Sequence, residues 1–306
     1  MKYLVRKAVA LIATVWAVSV LTFAAFYIIP GDSETVSKGL ESDINEDEGK
    51  SFKETVTEYC EWMGGLLKGD AGKSSQYNIS VTELIEDRLK VTLILAAMSL
   101  GLIIIMAVPL GIISAKRQGG AADNIIGFST DILMATPEFF MGMIITVIFG
   151  IGLNWFTAGG YVSFRTDAGA FFTYMLAPAF AIALPKMSMT VKFLRNSIAG
   201  QLGMDYVRTA KSKGLSDNKI MFRHVLKNSL VSVITFMAVI AAQILAGSIV
   251  TEQVFSVPGM GRLLVTSIRS RDHNVYRISC STFQYAGRRA LSLSRSERKE
   301  RELDGA

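Results

Sequence analysis

Apolar residues fill positions 8–29, 91–113, 132–153, 171–184 and 231–250, and the only charge inside these runs is Glu138. A helix needs about 20 apolar residues to cross a hydrocarbon core about 30 Å thick, and most of the runs approach or exceed that length. Positions 171–184 fall short, and they extend to Val191 only by taking in Lys186. Glu138 moves the expected start of the third helix to about Phe139. The pattern predicts an all-α, polytopic membrane protein with five transmembrane helices. It divides into an N-terminal anchor helix (1–29), an extracytoplasmic loop (30–90), a transmembrane core (91–271) holding a polar loop at 186–230, and a polar tail (272–306).

Composition supports the membrane reading. The chain has 306 residues, of which 50% are hydrophobic and 19% charged, with a mean hydropathy of +0.37. An ordinary soluble domain is about 25% charged, so a soluble enzyme is disfavoured. A net charge of +6 raises the question of nucleic acid, but the location of the charges answers it. Positions 30–90 hold 14 acidic and 7 basic residues, whereas 186–230 hold 9 basic and 2 acidic. Because Lys and Arg concentrate in cytoplasmic loops, the N-terminus with Lys2, Arg6 and Lys7 is expected inside, together with the loop at 186–230. The acidic loop is then outside, and Lys116 and Arg117 after the second run agree. The first run exceeds a signal-peptide core and lacks a small-x-small cleavage site before Pro30, so it reads as an uncleaved anchor.

Metal and redox chemistry find little support. Cys60 and Cys280 are too few and too far apart for a disulfide framework or metal centre. His224 and His273 are the only histidines, which excludes a histidine-based zinc cluster or triad within the membrane.

The polar loop carries the clearest local signals. Residues 203–214 predict a short helix with Asp205 in its first turn, Lys211 and Lys213 in its last, and Gly214 where a left-handed cap is wanted. Ser216, Asp217 and Asn218 then offer cap oxygens to a second helix, with Ile220, Met221, Val225 and Leu226 on its apolar side. Charge alone is equally compatible with a basic hairpin lying on anionic lipid.

The wording of this elbow, Asp205-Tyr-Val-Arg-Thr-Ala-Lys-Ser-Lys-Gly214 followed by Arg223-His-Val-Leu-Lys-Asn228, resembles the cytoplasmic coupling (EAA) loop of ABC-importer permeases. It is most similar to the dipeptide, oligopeptide and nickel branch. Four other stretches match that branch in order: Trp62 to Asp70 with Lys73 and Ser74; Thr136-Pro-Glu-Phe-Phe-Met-Gly142; Asn154-Trp-Phe-Thr-Ala-Gly-Gly160; and Val254-Phe-Ser-Val-Pro-Gly-Met-Gly-Arg262. The resemblance covers the chain to about Asp272. It implies a type I importer permease, in which residues 205–214 dock in a groove of a cytoplasmic ATPase. Tyr206, Val207 and Ala210 would be the docking contacts, Arg208 an ionic one, Asp205 the family's first acidic position and Gly214 the exit. It further implies a second permease subunit, expected to be a different chain, and an extracytoplasmic binding protein received by the outer face, including residues 252–262. The location implied is the inner (plasma) membrane.

With no Walker sequence, this chain holds no nucleotide in a P-loop, so ATP and magnesium belong to the partner ATPase and no cofactor is expected here. No Asp, Glu, Lys or Arg lies inside a run apart from Glu138, with Lys186 at the edge of the fourth, which argues against a proton-coupled secondary transporter, the second mechanism considered. A membrane-surface scaffold is a further alternative, and a membrane-embedded enzyme lacks the polar cluster it would need. Polar residues able to face a translocation path are Gln243, Asn154, Thr146 and Ser248, with Ser99 behind them. The family continues into a sixth span, whereas here the text after Asp272 turns polar, with 8 basic and 5 acidic residues from Arg271 on. Composition and charge sidedness change together, as a reading-frame shift near residues 270–274 would produce. A genuine short form with a basic tail is the alternative.

Overall fold

The computed structural model describes residues 77–157 and 159–269, together with scattered positions between 6 and 74 and residue 275. Most of the expected anchor and extracytoplasmic loop, and all of the tail beyond Val275, lie outside the described residues. The elements are α1 (Val81–Lys116), α2 (Ala121–Ala135), α3 (Glu138–Ile145) continued by a π-helical stretch Thr146–Gly152, α4 (Ala168–Leu202), α5 (Asp205–Ser212), α6 (Asp217–Ile220) followed by a π-helical turn Met221–Val225, α7 (Leu226–Val254) and α8 (Met260–Arg269). Among the described residues three helices are long and apolar enough to cross a membrane: α1, α4 and the continuous run Asp217–Val254. The pair α2 and α3, bent by 102°, makes a fourth if it counts as one span.

The expected helix start near Phe139 holds to within one residue, and the structure sets the helices apart from the apolar runs in three places. The run 132–153 is not one straight span. Pro137 has no N–H and excludes the helical region for the residue before it, so Thr136 (ψ 122°) and Pro137 (ψ 145°) are extended and α3 begins at Glu138. The run 171–184 is the N-terminal half of a 35-residue helix, Ala168–Leu202, that continues through Pro185 and Lys186. Its N-terminus is fixed by Asp167, whose carboxylate accepts from the Ala170 N–H at 3.0 Å, and Ala177, Ala179, Ala181 and Ala183 bury small side chains that let neighbours approach. Finally, α1 starts at Val81 rather than Val91, its first turns carrying the exposed Glu86–Lys90 pair at 2.7 Å.

The described residues fall into two compact units. In the unit containing positions up to Thr92 and from Pro258, the start of α1 packs against α8 through Val81, Leu84, Ile85, Met260 and Leu263. The Met260 N–H donates to the Thr92 hydroxyl at 2.8 Å and Arg88 donates to the Pro258 carbonyl at 3.4 Å. In the unit Leu93–Val257, α4 is the central helix and packs against α2, α3 and α7. Gly111 on α1 lets α4 come close, since a Cβ there would stand 2.8 Å from the Leu194 side chain. At the Ala168 end of α4, the buried rings of Phe171 and Tyr174 meet Tyr161, Phe156 and Phe164 edge to face, and the Tyr174 hydroxyl donates to the Phe255 carbonyl.

Candidate functional site

At the opposite end of α4 the chain turns through Gly203 and Met204 into α5. The Tyr206 hydroxyl donates to Gln201 Oε1 at 2.9 Å and ties the new helix to the end of α4. Val207 is 3% exposed, in a cluster with Ile112, Leu194, Ile198, Ile220, Met221, Val225 and Val233, and Tyr206 and Ala210 pack against that cluster from its edge. The residues expected as docking contacts therefore form the packed side of α5. The face left to solvent carries Asp205, Arg208, Thr209 and Ser212, with Arg208 and Asp205 3.6 Å apart.

The exit from α5 closes in a Schellman arrangement. The Gly214 N–H donates to the Lys211 carbonyl at 2.9 Å and the Leu215 N–H to the Ala210 carbonyl at 3.2 Å, which requires the left-handed φ of +77° at Gly214. Leu215 joins the apolar cluster, and Lys211 pairs with Asp217 at 3.1 Å across the turn. Ser216 has the extended geometry of an N-cap, but its hydroxyl makes no capping bond. Lys116, read from sequence only as a marker of sidedness, donates to Asn218 Oδ1 at 2.8 Å and lies 4.9 Å above the Phe222 ring, so the end of α1 holds the second arm of the elbow.

The residues expected along a path lie on several elements. Thr146 donates to the Gly142 carbonyl at 2.9 Å and Ser99 to the Leu95 carbonyl at 2.8 Å. Ser248 is buried and donates to Glu252 Oε1 at 3.2 Å. Asn154 is an exposed loop residue with φ +52°, and Gln243 is exposed on α7. Glu252, expected on an outer surface, is 0% exposed.

What the run-by-run reading missed is a series of cation–carboxylate pairs along α4. Arg195 holds Asp123 through two bonds of 2.7 and 2.6 Å, Lys192 pairs with Asp131, and Lys186 reaches Glu138 at 2.6 Å. Asp123 also accepts from the Ser114 hydroxyl and from the Gly119 N–H at 2.9 Å. Every cation comes from α4 and every carboxylate from α2 or α3. The signal available in sequence was the spacing of Asp123, Asp131 and Glu138, about two helical turns apart, but the break at Pro137 and the distance to α4 along the chain hide the pairing.

The chain compares closely with transport proteins. A family model described as binding-protein-dependent transport system inner membrane component matches residues 107–286, a range that contains the elbow and all three ion pairs. Oligopeptide transport system permease protein AppB of Bacillus subtilis is 32% identical over 89% of this chain and 89% of its own length. Probable peptide ABC transporter permease protein y4tP of Sinorhizobium fredii is 30% identical with the same coverage. Dipeptide transport system permease protein DppB of Lactococcus lactis is 30% identical over 93% of this chain and 92% of its own length.

Proposed function

The chain belongs to the family of binding-protein-dependent transport system inner membrane components, and on that premise we propose that it is the permease subunit of an ATP-driven peptide importer. In this reading it forms half of a translocation path with a second permease chain, receives peptide from an extracytoplasmic binding protein, and is driven by cytoplasmic ATPase subunits that bind the ATP and magnesium. The N-terminus and the elbow lie on the cytoplasmic side, where the excess of basic residues at 186–230 favours them.

The observation that carries the coupling role is the two-sided construction of α5. Val207 and Ala210 fasten it to the cluster that also holds Leu194 and Ile198 of α4 and Val233 of α7, so a push on α5 moves both long helices as a body. Asp205 and Arg208 face solvent and supply the surface an ATPase groove can grip. Reversing both charges (Asp205→Lys with Arg208→Glu) is expected to leave the chain in the membrane and to reduce its recovery of ATPase subunits on co-purification several-fold. Undiminished recovery contradicts the docking face and favours a scaffold lying on lipid.

A further inference from the structure

We propose that an exposed row of cations, Lys219, Arg223 and Lys227, on the arm leading from the elbow into α7, binds the phosphates of anionic phospholipid at the membrane surface. The row stands in the 38-residue helical run Asp217–Val254. One side of that run is packed, with Ile220, Met221, Val225, Ser229 and Val233 buried. The other side exposes Lys219, Arg223 and Lys227, which recur every four residues. Four residues overshoot one α-helical turn by about 40°, and the wider π-helical turn Met221–Val225 reduces that drift, so the three cations stay in line.

These cations differ from their neighbours in having nothing to hold. Lys116 is engaged by Asn218 and the Phe222 ring, Lys192 by Asp131, Arg195 by Asp123 and Arg208 by Asp205. Asp217, the carboxylate of the arm itself, is taken by Lys211 at 3.1 Å. Among the described residues, Lys219, Arg223 and Lys227 have no side-chain hydrogen bond or ion pair.

The place where the row ends names its occupant. Within one turn of Lys227 the exposed positions become apolar, first at Val231 and then at Ile234. The apolar run 231–250 crosses the hydrocarbon core, so at 1.5 Å per residue Lys227 stands about 6 Å outside it and Arg223 about 12 Å. The headgroup layer is about 5 to 8 Å thick, and long basic side chains extend their charged heads along the surface to meet it. Lys219, about 18 Å out, feels the phosphates only through a field that decays over about 8 Å. An open row has no walls to hold a small free anion, whereas a bilayer presents a plane of phosphates at the depth of Arg223 and Lys227. A soluble protein seated on the row does not follow the same face into Val231 and Ile234; lipid does.

The test places the photoreactive residue p-benzoyl-phenylalanine at Asn228, the exposed neighbour of Lys227. The permease–ATPase complex is reconstituted in bilayers of equal parts phosphatidylglycerol and phosphatidylcholine, and each lipid is radiolabelled in turn. Phosphatidylglycerol is expected to be captured more than about tenfold over phosphatidylcholine. Arg223→Gln and Lys227→Gln are each expected to lower that preference about fivefold, the worth of one basic residue at an anionic surface, and the double variant to bring it near parity. Lys219→Gln is expected to change it less than about twofold. The ratio of two lipids on one variant is independent of how much chain is made, and the experiment needs no peptide, so its outcome is separate from that of the transport assay. Equal capture of the two lipids, a preference untouched by the double variant, or one that falls as much with Lys219→Gln as with Lys227→Gln overturns the proposal. Capture of an ATPase or permease chain in place of lipid overturns it as well and gives the row to that protein.

Discussion

Replacing Gly214 by valine is expected to lower transport at least about tenfold while ATP hydrolysis by the assembled transporter continues and the amount of chain in the membrane is unchanged. The residue sits at φ +77°, and an added Cβ would meet no atom within 4 Å, so the effect comes from the backbone and not from crowding. A β-branched residue held in the left-handed region costs about 1 to 3 kcal/mol. The strain is relieved by opening the Schellman turn, which breaks the Leu215 to Ala210 and Gly214 to Lys211 hydrogen bonds and withdraws Leu215 from the cluster. Without that turn α5 keeps its Val207 contacts but loses the rigid exit that links it to α7, so its motion is transmitted less faithfully. Gly214→Asn, which tolerates the left-handed region, is expected to retain most transport. Parallel assays of peptide uptake, ATP hydrolysis and membrane abundance check this, and wild-type uptake by the valine variant would remove the elbow from the coupling mechanism.

The Glu138–Lys186 pair gives the second large effect. Lys186 is 7% exposed and its ammonium lies 2.6 Å from the Glu138 carboxylate, at the point where Pro137 has broken the helix. Removing Glu138 strands the buried ammonium at about 3 to 5 kcal/mol, removing Lys186 strands a carboxylate that is 26% exposed and costs less, and replacing both by neutral residues of similar size is often near neutral. Glu138→Gln alone and Lys186→Met alone are each expected to reduce folded chain in the membrane several-fold, and the double variant to recover it. Thermal aggregation of the solubilised chain, followed by the fraction remaining in solution, is the measurement. Additive losses in the double variant would show that the two charges do not compensate each other.

How much of this was legible in the sequence depends on whether the determining partner is near in the chain. The elbow is, because its signals are local: Asp205 at a helix start, Gly214 where the left-handed cap falls, and the polar Ser216-Asp217 entry into the next helix. The break at Thr136-Pro137 is local too, and Glu138 already pointed to a helix beginning there. Helix α4 was read too short because Lys186 resembles a boundary when its partner is unseen; Glu138, 48 positions earlier, is what allows that ammonium to stay inside. The same non-locality hid Asp131 with Lys192 and Asp123 with Arg195. The side of α5 that faces its own chain was also unreadable, since Tyr206, Val207 and Ala210 turn inward only because Ile112, Leu194 and Met221 are there to receive them.

The most direct test of the central claim is peptide uptake into proteoliposomes holding this chain with its partner permease, ATPase and binding protein. ATP is supplied on the ATPase side and a protonophore is added in a parallel sample. The account predicts uptake that requires ATP and the binding protein and is unaffected by the protonophore. Uptake that proceeds without ATP and collapses with the protonophore would contradict it and assign the chain to secondary transport.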